Sequence, residues 1–222
     1  MEIVPGQIGY NILQDEYRRL RPQIERAIGS FEGKLYQSED AELFDELIYV
    51  LLAAGSSASS ALRGANAIKG IYAETPIPPC EQIARKLHSN HCRFHTVRAG
   101  YIHSALTFFR ARGLKSSLLK ELAGGKEYLR DYLVRNIRGM GYKAGSHFLR
   151  NVGLFGLAIL DRHIVHALIE LGLIDSNSRP PTSRADYLRL ESLFQATARE
   201  LNFTVEELDL LLWGIKAGKV LK

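Results

Sequence analysis

Leu133-Val134-Arg135-Asn136-Ile137-Arg138-Gly139-Met140-Gly141-Tyr142-Lys143-Ala144-Gly145-Ser146-His147-Phe148-Leu149-Arg150 reads as a helix, a tight glycine turn and a second helix. Gly139 and Gly141 permit positive φ and let the backbone come close to a partner. Such a turn can aim its amides, and the N-terminus of the second helix, at a phosphate. Ile137 and Met140 are expected to anchor the hairpin in the core. An ordinary two-helix turn has the same outline, so the glycine pair does not by itself decide for phosphate binding.

Lys143 falls in the first turn of the second helix, where a cation is unfavourable. The helix dipole, nearby Arg138 and partial burial each favour the neutral amine, the form a nucleophilic lysine needs. An unperturbed lysine, with a pKa of about 10.4, holds very little free amine at neutral pH. Eighteen residues later Ala158-Ile159-Leu160-Asp161-Arg162-His163 is a short apolar approach ending in an acid at a helix start. Asp161 reads as an N-cap, and one of its oxygens can cap while the other serves a site. His147, His163 and His166 lie around this segment and are read as helix packing.

Outward from this segment, apolar residues recur at three and four spacing with no period-two alternation, so the chain is expected to be all-α. Ser38, followed by Glu39 and Asp40, reads as an N-cap leading into Leu43, Phe44, Leu47, Ile48 and Leu51. A second helix starts near Ser56 or Ser57. Thr75-Pro76-Ile77-Pro78-Pro79 must be a loop, because each proline removes a donor and restrains the residue before it. A short helix follows. From Val97 the positions Tyr101, Ala105 and Phe108 mark one helix face that Gly113 ends. Asp161 precedes Ile164, Val165, Leu168 and Leu171, and Gly172 stops that helix. Ser183 opens a helix with the stripe Tyr187, Leu190, Phe194, Thr197 and Leu201. Thr204-Val205-Glu206-Glu207 matches a capping box ahead of Leu208, Leu211, Leu212 and Ile215.

With 222 residues, 46% of them apolar, the chain can bury a substantial core. No apolar run approaches the roughly 18 residues that a membrane span needs, and Met1-Glu2-Ile3-Val4-Pro5 is not a basic region before an apolar stretch. A cytoplasmic protein without a membrane partner is expected. Cys80 and Cys92 are the only cysteines, too few for a disulfide framework or a four-cysteine cluster, and no cofactor is expected. His88, His91, Cys92 and His95 are close enough to suggest zinc, but Arg85, Lys86 and Arg93 disfavour it. The net charge of +5 is modest, yet its distribution is not even. The first fifty residues hold ten acids against five Lys/Arg, whereas Gln82 to Lys120 holds eight Lys/Arg and no acid. An acid-free basic span is the footprint expected for a phosphate backbone, though a solvated basic surface has the same composition.

The helix, glycine turn and helix have the pattern of a helix-hairpin-helix over about residues 126–152, a motif that grips the DNA backbone without reading sequence. The run from Tyr132 to His166, especially LVRNIRGMGYKAGSHFLRNVG and AILDRHI, resembles the archaeal and bacterial 8-oxoguanine DNA glycosylase/AP lyases of the helix-hairpin-helix superfamily. Two further blocks agree. One is Arg93-Phe94 with Arg98-Ala99 and Tyr101-Ile102; the other runs from Glu207-Leu208-Asp209-Leu210 through Trp213 to the ending Gly218-Lys219-Val220-Leu221-Lys222. The resemblance covers roughly the last two thirds of the chain, and the first 35 residues add nothing specific to it. It implies that Lys143 is similar to the family's Schiff-base lysine and Asp161 to the acid beside it. It further implies that Lys222 helps distinguish 8-oxoguanine from guanine and that Trp213 lines the base pocket. A chain terminus supplies a carboxylate acceptor for a purine edge, and an indole offers a stacking surface. Where the family has an amide side chain after Leu51-Leu52-Ala53-Ala54, this chain has Gly55-Ser56-Ser57, so a serine is expected to replace part of that contact.

The expected architecture is two helical lobes forming a single unit over 1–222, with a DNA-binding cleft between them. Arg138, Gly139 and Gly141 are expected to hold the backbone of double-stranded DNA containing oxidised guanine, with Lys143 and Asp161 carrying catalysis. The related iron-sulfur glycosylases need cysteines that are absent here, and the monofunctional alkyl-base enzymes lack a lysine at the hairpin. The alternative is a non-catalytic helix-hairpin-helix module in which Lys143 only contacts phosphate. The helices show no spare apolar stripe, so a monomer is expected.

Overall fold

A computed structural model of the chain describes residues 9–218 and Val220, and every regular element among them is an α-helix. In chain order these are α1 (Tyr10–Gly29), α2 (Lys34–Gln37), α3 (Asp40–Ala53), α4 (Ala58–Glu74), α5 (Cys80–Ser89) and α6 (His95–Phe109), then α7 (Leu114–Leu122), α8 (Lys126–Asn136), α9 (Tyr142–Asn151), α10 (Arg162–Glu170), α11 (Arg184–Glu200) and α12 (Val205–Ala217). None of these helices is long and apolar enough to cross a membrane. The helices form two compact units. One is Gly33–Leu154; the other joins the chain before it to the chain after it.

In the Gly33–Leu154 unit, α3 is buried along Leu43, Leu47, Ile48, Leu51 and Leu52. Each such side chain removed from water contributes roughly 2 kcal/mol. The helix opens with a capping box of Glu39 and Glu42, the Glu39 amide donating to Glu42 Oε2 at 3.1 Å. The cap thus sits one residue beyond Ser38, which instead ends α2 and offers its carbonyl to Lys115 Nζ at 2.9 Å. Asp40 does more than sit in a first turn. Its carboxylate accepts from the Leu114 and Lys115 amides at 3.0 and 2.7 Å, capping α7, whose own N-cap is the side-chain-less Gly113. Ser57 caps α4, and the proline loop ends at Pro79, where α5 begins.

Helix α6 departs from the expected face. Its buried residues are Arg98, Ala99, Ile102, Ala105, Leu106 and Phe109, leaving Tyr101 and Phe108 half-buried on flanking surfaces.

In the other unit α1 buries Leu13, Leu20 and Ile24 completely. It packs on α12, with Tyr17 donating to Glu207 Oε1 at 2.5 Å and its ring 4.8 Å from that of Phe203. Asp161, Ser183 and Thr204 cap α10, α11 and α12 as the sequence suggests, and Gly172 follows α10 at φ +70°. The Thr204–Glu207 box is closed from both sides, at 2.8 and 3.1 Å.

Candidate active site

Helix α8 ends at Asn136, and the chain turns through Ile137–Gly141 into α9. Ile137 and Met140 are 2% and 4% exposed, so they fasten the turn to the core, and the Met140 amide closes it onto the Ile137 carbonyl at 3.1 Å. Gly139 takes φ +84°, and a Cβ there would meet the Tyr101 ring at 2.2 Å. Gly141 differs from the sequence reading. Its φ is −96°, so it makes no use of positive φ; it is exposed, and a Cβ there would meet nothing within 4 Å. Its smoothness leaves the N-terminus of α9 open to a close approach. Arg138 is exposed, its guanidinium 5.8 Å from the Tyr101 ring centroid, so one ring of α6 backs both Gly139 and Arg138.

Lys143 is half-buried in the first turn of α9, after which every residue from Ala144 to Asn151 is buried. Several contacts fix that helix. Tyr142 donates to Asp131 at 2.7 Å, and buried Arg130 donates to Ser146 Oγ at 2.9 Å. Gly145 lets α8 come close, since a Cβ there would stand 3.0 Å from Arg130 Cγ. At the far end Asn151 donates to Glu46 Oε2 at 3.1 Å, while Lys34 donates to Oε1 at 2.7 Å. Buried charges are tolerable only in such paired arrangements. His147 is buried with its ring 5.8 Å from that of Tyr49, in keeping with a packing role.

In the other unit, Asp161 is the half-buried N-cap of α10, and Oδ1 alone makes the cap, accepting from the His163 and Ile164 amides at 2.8 and 3.0 Å. That leaves Oδ2 outside the cap. The approach to Asp161 is a buried extended segment with no strand partner, and side chains satisfy its backbone. Glu206 accepts from the Gly156 amide at 2.6 Å and Glu191 from the Ala158 amide at 2.9 Å. Tyr187 donates to the Ala158 carbonyl at 2.7 Å and accepts from the Leu160 amide at 3.3 Å. Trp213 is half-buried on α12. Lys222 lies outside the described residues. His166 is exposed, and Lys216 donates to its Nδ1 at 3.0 Å and to Glu170 at 2.9 Å.

The basic span divides in two. Arg98 and Lys115 are structural: Arg98 donates to the Ala54 carbonyl and to Ser56 Oγ at 2.7 Å, and Lys115 to the Tyr36 and Ser38 carbonyls. Of the two serines in Gly55-Ser56-Ser57, Ser56 accepts from Arg98, while Ser57 caps α4. Arg85, Lys86, Arg93, Arg110, Arg112 and Lys120 are exposed. Among the described residues no cluster of three or more potential ligands is placed to hold a metal, and buried Cys92 turns its thiol to the Ser60 carbonyl.

Residues 24–203 match the Ogg-HhH family, described as 8-oxoguanine DNA glycosylase. The chain is 37% identical to an 8-oxoguanine DNA glycosylase/AP lyase of Korarchaeum cryptofilum, covering 92% of each. It is 36% identical to that of Methanocaldococcus jannaschii, over 90% of this chain and 91% of the other. The chain belongs to the 8-oxoguanine DNA glycosylase family. Its fold follows the 8-oxoguanine DNA glycosylase of Thermotoga maritima with a TM-score of 0.84 at 31% identity, covering 96% and 98% of the two chains. It equally follows the M. jannaschii glycosylase/lyase in complex with a 15mer DNA containing 8-oxoguanine, with a TM-score of 0.82, 31% identity and coverage of 96% and 99%. Likeness to the family therefore extends well beyond the last two thirds of the chain.

Sequence reasoning missed one surface feature of this family member. Phe94, the N-cap of α6, is 60% exposed at φ +56°, a conformation unusual for a bulky residue. The guanidiniums of Arg93 and Arg98 lie 5.3 and 5.8 Å from its ring centroid. Phe94 belongs to the block Arg93-Phe94 with Arg98-Ala99 and Tyr101-Ile102, but nothing in its local pattern signals that it faces water. Glu191, Glu206 and Tyr187 were also missed as supports of Asp161, because buried carboxylates on an amphipathic helix look like solvated ones.

Proposed function

We propose that this chain removes 8-oxoguanine from double-stranded DNA and then cuts the strand at the abasic sugar, acting as a glycosylase/AP lyase in base excision repair. The observation that carries this reading is Lys143, in the first turn of α9 directly after the glycine turn, in a member of this family. The named activity of the relatives, and the lesion-containing DNA bound by one of them, support the substrate.

In this reading Arg138 and the amides around Gly139 and Gly141 hold phosphate, and the damaged nucleotide is rotated out of the duplex. Phe94, with its flanking cations, enters the stack that the nucleotide leaves. Trp213 and Lys222 receive the base. At the positive end of the α9 dipole, Lys143 Nζ attacks C1′ as the neutral amine. The C1′–N9 bond breaks and its electron pair leaves with the base, which takes up a proton. The nitrogen gives up one proton, the C1′–O4′ bond breaks with O4′ taking up a proton, and the sugar ring opens to a protonated imine. The C2′ proton is then acidic; its removal forms the C2′–C3′ double bond and expels the 3′ phosphate. Asp161 Oδ2 accepts a proton and balances the positive charge that develops on the sugar. The enzyme acts as a cytoplasmic monomer.

Borohydride trapping on duplex DNA containing 8-oxoguanine tests this, with undamaged guanine as control and Lys143→Gln beside the wild type. A covalent adduct on the lesion that the variant loses is the expected result. Tight binding without adduct or cleavage overturns the enzyme reading and makes the hairpin a passive clamp.

A further inference from the structure

A cavity of about 660 Å³ opens where the end of α6, α7 and α8 meet, within the Gly33–Leu154 unit and on a face of α8 that the mechanism above does not use. Its volume falls in the range of about 300–1,000 Å³ typical of small-ligand sites. Phe108 and Tyr132 form its half-buried aromatic wall, their ring centroids 6.2 Å apart and inclined by 53°. Arg112 and Lys120 stand exposed at the rim, and the Arg112 guanidinium lies 5.5 Å from the Phe108 centroid. Glu121 and Asn136 supply acceptors: the Asn136 amide nitrogen is spent on the Tyr132 carbonyl at 2.8 Å, which leaves its Oδ1 to receive a donor.

The composition is selective. A purely anionic ligand needs the cations but not the rings, and a purely apolar one is disfavoured by the charged rim. Two aromatic faces, two cations and a carboxylate together match one chemical class: a base to stack, a phosphate to neutralise and amine hydrogens to accept. Burial first, then the charge of Glu121, holds the Tyr132 phenol above its ordinary pKa, while Arg112 pulls it the other way, so these groups address one space. A shared environment of this kind suits one ligand carrying all three complements.

We propose that the α6–α7–α8 cavity is a nucleotide subsite, in which a purine stacks on Tyr132 with its edge against Phe108 while its 5′-phosphate pairs with Arg112 and Lys120. The ligand is either a free mononucleotide or a phosphorylated nucleotide of a DNA strand. This subsite does not depend on the imine chemistry of Lys143.

The test is calorimetric titration of the Lys143→Gln protein, which separates the result from catalysis. The probes are deoxyguanosine 5′-monophosphate, deoxyguanosine, inorganic phosphate and a 5′-phosphorylated single-stranded trinucleotide. Tyr132→Ala is expected to weaken nucleotide binding about tenfold or more, with Tyr132→Phe within about threefold of the parent. Arg112→Ala is expected to weaken the monophosphate but not the nucleoside. Binding of the mononucleotide with this dependence identifies a free nucleotide as a ligand; binding of the trinucleotide alone identifies a strand nucleotide. Absence of binding by either, or binding insensitive to Tyr132 and Arg112, overturns the proposal. Thermal melts of every variant check folding, and should Tyr132→Ala fail to fold, Tyr132→Phe and Arg112→Ala still decide.

Discussion

A methyl group on Gly139 would stand 2.2 Å from Cδ2 of Tyr101, so the hairpin turn is closed against an aromatic ring of another helix. Two constraints fall on one residue, the ring and a φ of +84°. Gly139→Ala is therefore expected to cost about 2–3 kcal/mol in urea unfolding and to weaken binding to undamaged duplex. Gly141→Ala is the contrast, because its φ of −96° and open surroundings accept a methyl group. Its stability should stay within about 0.5 kcal/mol of the parent. Any loss of DNA affinity in that variant then measures how closely a phosphate approaches.

The Lys143→Gln variant is expected to separate binding from chemistry. Lys143 is half-buried at the start of α9, a helix already fixed by Arg130, Ser146, Asn151 and Glu46. Lys143→Gln should fold normally and bind lesion duplex within about tenfold of the parent, while single-turnover strand cleavage falls about 10³-fold or more. Loss of binding in proportion to cleavage would contradict a nucleophilic role.

The second half of the chain was the more legible. Caps at Asp161, Ser183 and Thr204 lie where polar residues precede apolar stripes, and local hydrogen bonding is what a sequence displays most directly. Helix α1 is harder to read from the sequence, since Pro22 in its interior removes a donor and looks like a break. On α6 the chosen face was out of phase. Tyr101 and Phe108 are large and apolar enough to look like core, yet the hairpin and the cavity take them, while Arg98 goes inside on the strength of the Ala54 and Ser56 acceptors. Asp40 shows the same limit: its partner amides lie 74 and 75 residues away, beyond any local pattern. The place of Lys143 in the first turn of α9 was legible because it depends on a local feature, the glycine turn ahead of the helix.

The cap that Asp40 lends to α7 is measurable. Replacing it by alanine leaves two amides of a glycine-started helix without their acceptor. Asp40→Ala is expected to lower stability by about 1–2 kcal/mol, and Asp40→Asn, which keeps one acceptor oxygen, by less. Hydrogen exchange should localise the loss to the Leu114 and Lys115 amides. Equal effects of the two substitutions would argue against capping.

Phe94 should matter to DNA and not to the fold. Its ring is 60% exposed, so Phe94→Ala is expected to change stability by less than about 0.5 kcal/mol. If the ring stacks within the opened duplex, the substitution weakens lesion-duplex binding by about 1–3 kcal/mol. The dependence of that binding on salt should not change, because no charge is removed. An altered salt dependence with unchanged affinity at low salt would place the ring outside the DNA.

The Tyr17–Glu207 hydrogen bond sets a pH dependence at both ends of the scale. Burial alone would raise the Glu207 carboxyl, but donation from Tyr17 and from the Thr204 backbone and hydroxyl outweighs it, so its pKa lies below the ordinary glutamate value. A carboxylate depressed in this way stabilises the fold above its unfolded pKa, and the contribution disappears as pH falls through the folded pKa. The Tyr17 phenol is pushed up to about 12, by burial first and then by the bond to Glu207. Its contribution is complete below the unfolded value of about 10 and is lost as pH rises from there through the folded value. Glu207→Gln should therefore cost about 1 kcal/mol at pH 7, a hydrogen-bond magnitude that partial exposure keeps small. The difference in urea midpoint between wild type and variant should shrink at a pH below the folded carboxyl pKa. A difference that stays constant through the acid range would mean that the Glu207 charge does not contribute.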